Sequence, residues 1–419
     1  MATGQTHALK IIATFGLFLC AGGFAASPQI YSEAVISAFF SLALGSVVIL
    51  HLRVRPKWQD ALLILAGVAV FAIVDFGIFK YPRAVIAWFS FAGLSSLLIL
   101  GIRAVWAEGE DRKPLFYAWV PAVLFVASEW FASTFLDWTS AVHPKTLDLY
   151  LFSFDSSLRV QLSFLAAGWF LKWPWLRFVG MIFYLSLPIS IALVYAGQLV
   201  HKREKAFPAM LAFLFTGPVG ILFYNLFPAV SPHALFGRNF PLHPLPVSEV
   251  ARLFLEPIPL QGPRNAIPSL HLAWTLLAWW YSRGLSSWER AIAMAFLAFT
   301  ALATLGTGEH YFIDLIVAFP FALMMQALCE YSLSWKDTRR LTAFLFGALG
   351  TLGWFAALRY AGKFFWTSPA IPWLLAGATV VLTILRQHDF RRAVESGRPI
   401  ADAQPEEALV VSEAPTAGQ

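Results

Sequence analysis

Charge is what this chain has least of. Asp, Glu, Lys and Arg make up 13% of its 419 residues, while hydrophobic residues make up 58%. A soluble domain carries about 25% charged and about 45–50% apolar residues. The deficit excludes a soluble enzyme, a disordered scaffold and a nucleic-acid binder working through a basic patch. Cysteine is nearly absent: Cys20 and Cys329 lie far apart, each in an apolar segment. That excludes a disulfide framework and a cysteine metal site. No Walker loop, metal-ligand cluster or Rossmann fingerprint is present, so no nucleotide or metal cofactor is implied.

What fills the chain instead is apolar runs. Runs of about 18 residues or more are long enough to cross the roughly 30 Å core of a bilayer, and they recur along most of the sequence. The fold expected is all-α, a polytopic membrane protein of about 12 transmembrane helices, at 11–26, 34–52, 61–79, 84–102, 115–135, 178–200, 207–227, 266–282, 289–307, 312–334, 341–358 and 370–386. The apolar stretch Val160–Leu171 is too short to span and is read as interfacial or re-entrant. With the N-terminus inside, most of the 30 Lys and Arg fall in inner loops, including Arg53/Arg55/Lys57, Lys202/Arg203/Lys205 and Lys336/Arg339/Arg340. Counting 160–171 as a span would turn the last two clusters outward, against the positive-inside bias. Both termini are therefore expected in the cytoplasm, in a multi-pass protein of the plasma (inner) membrane. Ala25-Ala26-Ser27 also suits a signal-peptide cleavage site; we read segment 11–26 as the first span. Residues 387–419, polar and without periodicity, are read as a disordered cytoplasmic tail. The longest outer loops are 136–177 and 228–265, the second with eight prolines that should keep its backbone irregular and non-helical.

Three elements on that outer side carry chemistry. The run Gly262-Pro263-Arg264-Asn265-Ala266-Ile267-Pro268-Ser269-Leu270-His271 leads into an apolar helix. Asn265 is expected to cap it and Pro268 to sit in its first turn. The free amides of Ser269 and Leu270, with the positive end of the helix dipole, form an anion site that the Arg264 guanidinium can join. In Gly306-Thr307-Gly308-Glu309-His310-Tyr311-Phe312-Ile313-Asp314, His310 and Asp314 are four apart, on one helix face. A carboxylate accepting from one imidazole nitrogen fixes the tautomer and sharpens the other as a nucleophile. The hairpin 266–307 then returns His271 and His310 to the same side. A nucleophile with its orienting acid, a second histidine to protonate a leaving oxygen, and fixed positive charge suit phosphoryl transfer through a phosphohistidine.

Pro268-Ser269-Leu270-His271 followed by His310-Tyr311-Phe312-Ile313-Asp314 resembles the type 2 phosphatidic acid phosphatase (PAP2) superfamily. The closest likeness is its branch of inositolphosphotransferase and inositol phosphorylceramide synthase-like proteins. Phe227-Pro228-Ala229-Val230-Ser231-Pro232 is similar to that branch's outer segment, and Asp148–Asp155 to its opening segment. The resemblance covers roughly 146–335 and implies a six-segment helical core, with 1–137 and the helix pair 341–386 outside it. It implies that His310 is the nucleophile, Asp314 its orienter and His271 the general acid, with phosphate bound by the Ser269 amide and Arg264. The substrate implied is a phospholipid or a polyprenyl or sphingolipid phosphate, reached from the outside or periplasm. The pattern departs in one region: it places an arginine six residues before the second histidine, where this chain has Thr304, with Ala303 beside it. Its Lys-x6-Arg-Pro motif is also missing, leaving Arg264 and Arg238 as the cations to take their place.

Plainer roles compete for several residues. Arg264 could anchor to headgroups, and Glu309 reads as a solvated loop acid. His233 and His243 read as loop packing, and Asp75 and Glu129 as hydrogen-bonding groups between helices. Twelve spans with both termini inside is also a layout of secondary transporters, which usually show internal repeats and charge near the midplane. No repeat relates 1–200 to 207–386, and the polar cluster lies at a helix end.

Overall fold

The structure, a computed structural model, describes residues 9–17, 19, 34–55, 57–79, 86–201 and 203–396. Within these the chain is helical, with no strand and a single bridge pairing Thr146 with Ile258. In chain order the helices are α1 (Ala34–Val54), α2 (Trp58–Phe79), α3 (Ile86–Trp106), α4 (Arg112–Val142), α5 (Asp148–Ser157), α6 (Leu162–Lys172), α7 (Pro174–Leu185), α8 (Leu187–His201) and α9 (Arg203–Leu226). Short α10 (Pro232–Phe236) and α11 (Val247–Val250) precede α12 (Leu270–Ser282), α13 (Ser287–Gly306), α14 (Phe312–Cys329), α15 (Thr338–Tyr360), α16 (Gly362–Phe365) and α17 (Ala370–Ser396).

Seven of these helices are long and apolar enough to cross a membrane among the described residues, or nine if each of two bent pairs counts as one span. Twelve spans were expected, and three features account for the difference. The segment 11–26 lies largely outside the described residues. The described apolar part of α1, Ala38–Val54, is 17 residues long. Residues 266–269 stay outside the helix, so α12 keeps only 13 residues, about 20 Å at 1.5 Å per residue. The expected span 178–200 is broken at Ser186, where α7 and α8 meet at 51°. Pro188 explains the break, since it lacks an N–H and its ring crowds the carbonyl four residues back, that of Tyr184.

Other expectations need correction. The supposed loop 136–177 is mostly helix, formed by the end of α4 and by α5, α6 and the start of α7. The proline-rich 228–265 also holds helices: Pro232 occupies the first position of α10, where an absent N–H costs nothing, and the Ser231 side chain caps it by accepting from the Ala234 amide at 3.1 Å. The C-terminal helix runs to Ser396 rather than ending at 386, so residues 387–396 are not tail; 397–419 lie outside the described residues.

One continuous buried cluster joins residues of α1, α3 and α4 with α8, α9, α12, α14, α15 and α17. Close helix approach relies on small residues, as is usual where lipid removes the hydrophobic drive between helices. At Gly347 of α15 a Cβ would lie 2.5 Å from the Pro320 carbonyl oxygen of α14. At the helix ends opposite His310, Arg53 of α1 donates to buried Glu289 of α13 at 3.0 Å, and Glu289 also completes the capping box with Ser286. The start of the chain is thus tied to the helix that ends just before His310.

Candidate active site

The site is built where α12 and α14 begin. Ser269, not Asn265, is the N-cap of α12: its hydroxyl accepts from the Leu272 amide at 3.4 Å. Asn265 lies four residues upstream of that cap, half-buried in extended chain. The Ser269 amide is not free to hold an anion as expected, because it donates to the Asp314 carbonyl at 3.1 Å. This bond ties the start of α12 directly to the start of α14.

His310 is brought round by a tight turn after α13. The amides of Glu309 and His310 both bond the Thr304 carbonyl, at 3.1 and 3.2 Å. Gly308 carries the turn with φ +74, where a Cβ would also press within 2.7 Å of the Phe240 ring. His310 is thus not on a helix, as its four-residue spacing from Asp314 suggested. It precedes the cap residue Tyr311, and Asp314 sits in the first turn of α14. The pairing nevertheless forms: His310 Nδ1 is 3.3 Å from Asp314 Oδ2, which also accepts from the Tyr311 amide at 2.8 Å. Both residues are buried, and Asp314 Oδ1 has no hydrogen-bond partner.

The His271 and His310 rings lie with centroids 6.4 Å apart. His271 is held by aromatics on its other sides. Tyr184 of α7 stacks on it at 4.3 Å, Phe39 of α1 lies at 5.6 Å and Trp274, one turn on, at 6.5 Å. Sequence reasoning assigned no role to Tyr184 or Phe39, which lie 87 and 232 residues from His271 and carry no motif. The break at Ser186, foretold only by Pro188, is what turns Tyr184 toward the ring.

The other sequence candidates divide. Arg264 is buried at 3% exposure, near the start of α12. Its Nε donates to the His143 carbonyl at 2.8 Å and Nη1 to the Gly262 carbonyl, and its amide bonds Thr139 Oγ1 at 3.0 Å. The end of α4 therefore anchors it. Burial lowers its pKa, and Asp148 opposes that shift. Arg238 stands exposed in the turn Gly237–Asn239, with His233 and His243 exposed nearby in sequence. The His233 amide does touch the His310 turn, donating to the Gly308 carbonyl at 2.9 Å.

Two acids carry more of the architecture than the sequence revealed. Asp148 and Asp155 of α5, seven residues apart and so on one helix face, are both buried. Asp148 accepts from the amides of Val230 (3.0 Å) and Ser231 (3.0 Å) and from the Tyr311 hydroxyl (2.9 Å). Asp155 accepts from the amides of Phe312 (2.7 Å) and Ile313 (3.1 Å). Burial pushes both carboxyls up, Asp155 well above the usual carboxylate range, and these donors pull them back. The available signal was their place in the apolar run Asp148–Asp155, where an acid persists only if its oxygens are bonded.

No cluster of three or more histidine, cysteine or carboxylate groups able to hold a metal occurs among the described residues. Comparison with curated proteins and with solved structures gives no match. The segment that carries both histidines, Asp314, Arg264 and Asp155 is recognised at the level of a family: residues 149–328 match the model of the PAP2 superfamily, whose members are phosphatases and phosphotransferases.

Proposed function

We propose that this chain is a membrane-embedded lipid phosphotransferase or phosphatase of the inositolphosphotransferase-like kind, working through a phosphohistidine on His310. The observation that carries the reading is the facing pair: His310 braced by Asp314 at 3.3 Å, with the His271 ring 6.4 Å away. Nucleophilic attack needs an approach of about 3–3.5 Å, and a hydrogen bond to the leaving oxygen about 2.7–3.2 Å. Rings whose centroids lie 6.4 Å apart leave both imidazoles facing one small space.

In the first step the free His310 nitrogen forms a bond to phosphorus, and the bond from phosphorus to the leaving oxygen breaks. Protonated His271 gives its proton to that oxygen. Asp314 holds Nδ1–H and stabilises the cationic ring. In the second step water or an alcohol attacks phosphorus, neutral His271 takes its proton, and the bond between phosphorus and His310 breaks. Because Thr304 stands where the phosphatase pattern has arginine, charge for the phosphate falls to Arg264, with Arg238 as the alternative. The substrate class proposed is a phospholipid or a polyprenyl or sphingolipid phosphate, its headgroup at the extracytoplasmic face of the plasma membrane and its tails among the helices. The distribution of Lys and Arg supports that orientation.

The test is to incubate detergent-purified protein with 32P-labelled lipid phosphates, quench rapidly and map the label. Acid-labile, base-stable label on His310 is expected. Turnover with label on no histidine overturns the covalent step.

Tyr184 offers a graded check. An aromatic stack contributes about 0.5–1.5 kcal/mol, so Tyr184→Ala should lower kcat by about 2- to 10-fold. Tyr184→Phe should stay within about twofold of the parent, since the stacked ring is kept. Steady-state assays of the two variants side by side measure the difference.

A further inference from the structure

We propose that Asp155 is a positioning residue for the His310–Asp314 pair, and that it does this by capping α14 from a different helix. The inference rests on the phosphoryl-transfer reading. The first amides of any helix lack intrahelical acceptors, and an acid in the first turn can turn back to satisfy those nearest the cap. In α14 that acid is Asp314, the same group that braces His310.

Asp155 relieves the competition. It takes the Phe312 and Ile313 amides on its two oxygens, at 2.7 and 3.1 Å. Asp314 is left with the Tyr311 amide and His310 Nδ1, both on Oδ2. Four consecutive residues, 310 to 313, are thereby shared between two carboxylates on different elements. Tyr311, the N-cap residue, makes no side-chain cap hydrogen bond, and its hydroxyl reaches away to donate to Asp148. The buried Asp314 Oδ1 has no hydrogen-bond partner among the described residues, so this carboxylate has an acceptor with which to answer any amide that Asp155 releases. Without Asp155, Asp314 turns toward its own helix start and its hold on His310 slackens. Ser269, Arg264 and His271 make no described hydrogen bond to Asp155, so substrate binding is left intact.

The test uses the full chain in detergent, comparing the parent with Asp155→Asn. Asparagine keeps one acceptor and turns an NH2 toward the second amide. The expected result is a kcat lower by about 10- to 100-fold, part of the roughly 10²–10⁴-fold that a well-positioned catalytic side chain contributes, with KM within about twofold. Asp155→Glu, which keeps both acceptors on a longer arm, should recover part of that loss. A monodisperse Asp155→Asn protein with parental kcat overturns the proposal, as does one whose KM rises while kcat holds. Should Asp155→Asn fail to fold, Asp155→Glu carries the same split, with a reduced kcat expected and an unchanged one contrary. A readout free of turnover separates this idea from the enzyme assignment: 15N-histidine NMR should show His310 protonated at Nδ1 in the parent and mixed tautomers in Asp155→Asn. An unchanged tautomer ratio sinks the positioning role even where no lipid phosphate is turned over; a parent with the expected tautomer but no activity sinks the assignment instead.

Discussion

His310→Ala should abolish turnover of labelled lipid phosphate, by at least about 10³-fold, because removing a nucleophile leaves only the residual acceleration of the binding groups. Asp314→Asn should cost on the order of 10²-fold or more: the amide can face His310 with either its oxygen or its NH2, so the tautomer is no longer fixed. The two losses should not add, since both residues serve one step. Assays of the single and double variants in detergent or vesicles check this. Turnover by His310→Ala equal to that of the parent would refute the mechanism outright. His310 is 4% exposed, and its ring hydrogen-bonds Asp314 and faces His271, with no other described hydrogen bond from the ring, so the folded state should survive the substitution.

Asp148→Ala should act on stability instead, and strongly. It strands the Val230 and Ser231 amides and the Tyr311 hydroxyl in a buried setting. Each unsatisfied buried group costs about 1–3 kcal/mol, so the three together cost about 3–9 kcal/mol against the roughly 5–15 kcal/mol that holds a typical domain together. Thermal unfolding in detergent should show a midpoint lower by more than about 10 °C, or no folded protein at all. Asp148→Asn should be far milder. Burial already disfavours the charged carboxyl, and an amide oxygen keeps part of the acceptor set.

The apolar runs made the helical class and most helix positions legible, because a run long enough to span betrays itself by length alone. The pairing of His310 with Asp314 was legible from their spacing, although for a mistaken reason: they meet across a helix start, not along a helix face. Helix starts were harder to read. Ser269 rather than Asn265 caps α12 because residues 266–269 stay outside the helix, with two of their amides held from elsewhere: Ala266 by the Ala229 carbonyl and Ser269 by that of Asp314. These partners are distant in sequence, so no local signal announces them. The free Ser269 amide was lost for the same reason. Arg264 was expected to reach the helix start with its guanidinium; its anchoring on the His143 and Gly262 carbonyls depends on where α4 ends, which composition does not encode. The two aspartates of α5 were noticed only as part of a segment, since what they do depends on the amides they meet.

The family match opens at residue 149, yet the parts do not divide there. Phe39 leans on one of the two imidazoles, and Thr139 and His143 fasten the buried arginine. A protein trimmed to the matched segment would retain both histidines, Asp314, Asp155 and Arg264 but lose Asp148, with one ring uncovered and its nearest guanidinium adrift. The helices upstream thus help wall in the paired histidines, and transplanting the matched segment alone into another membrane protein would carry over those side chains without their enclosure.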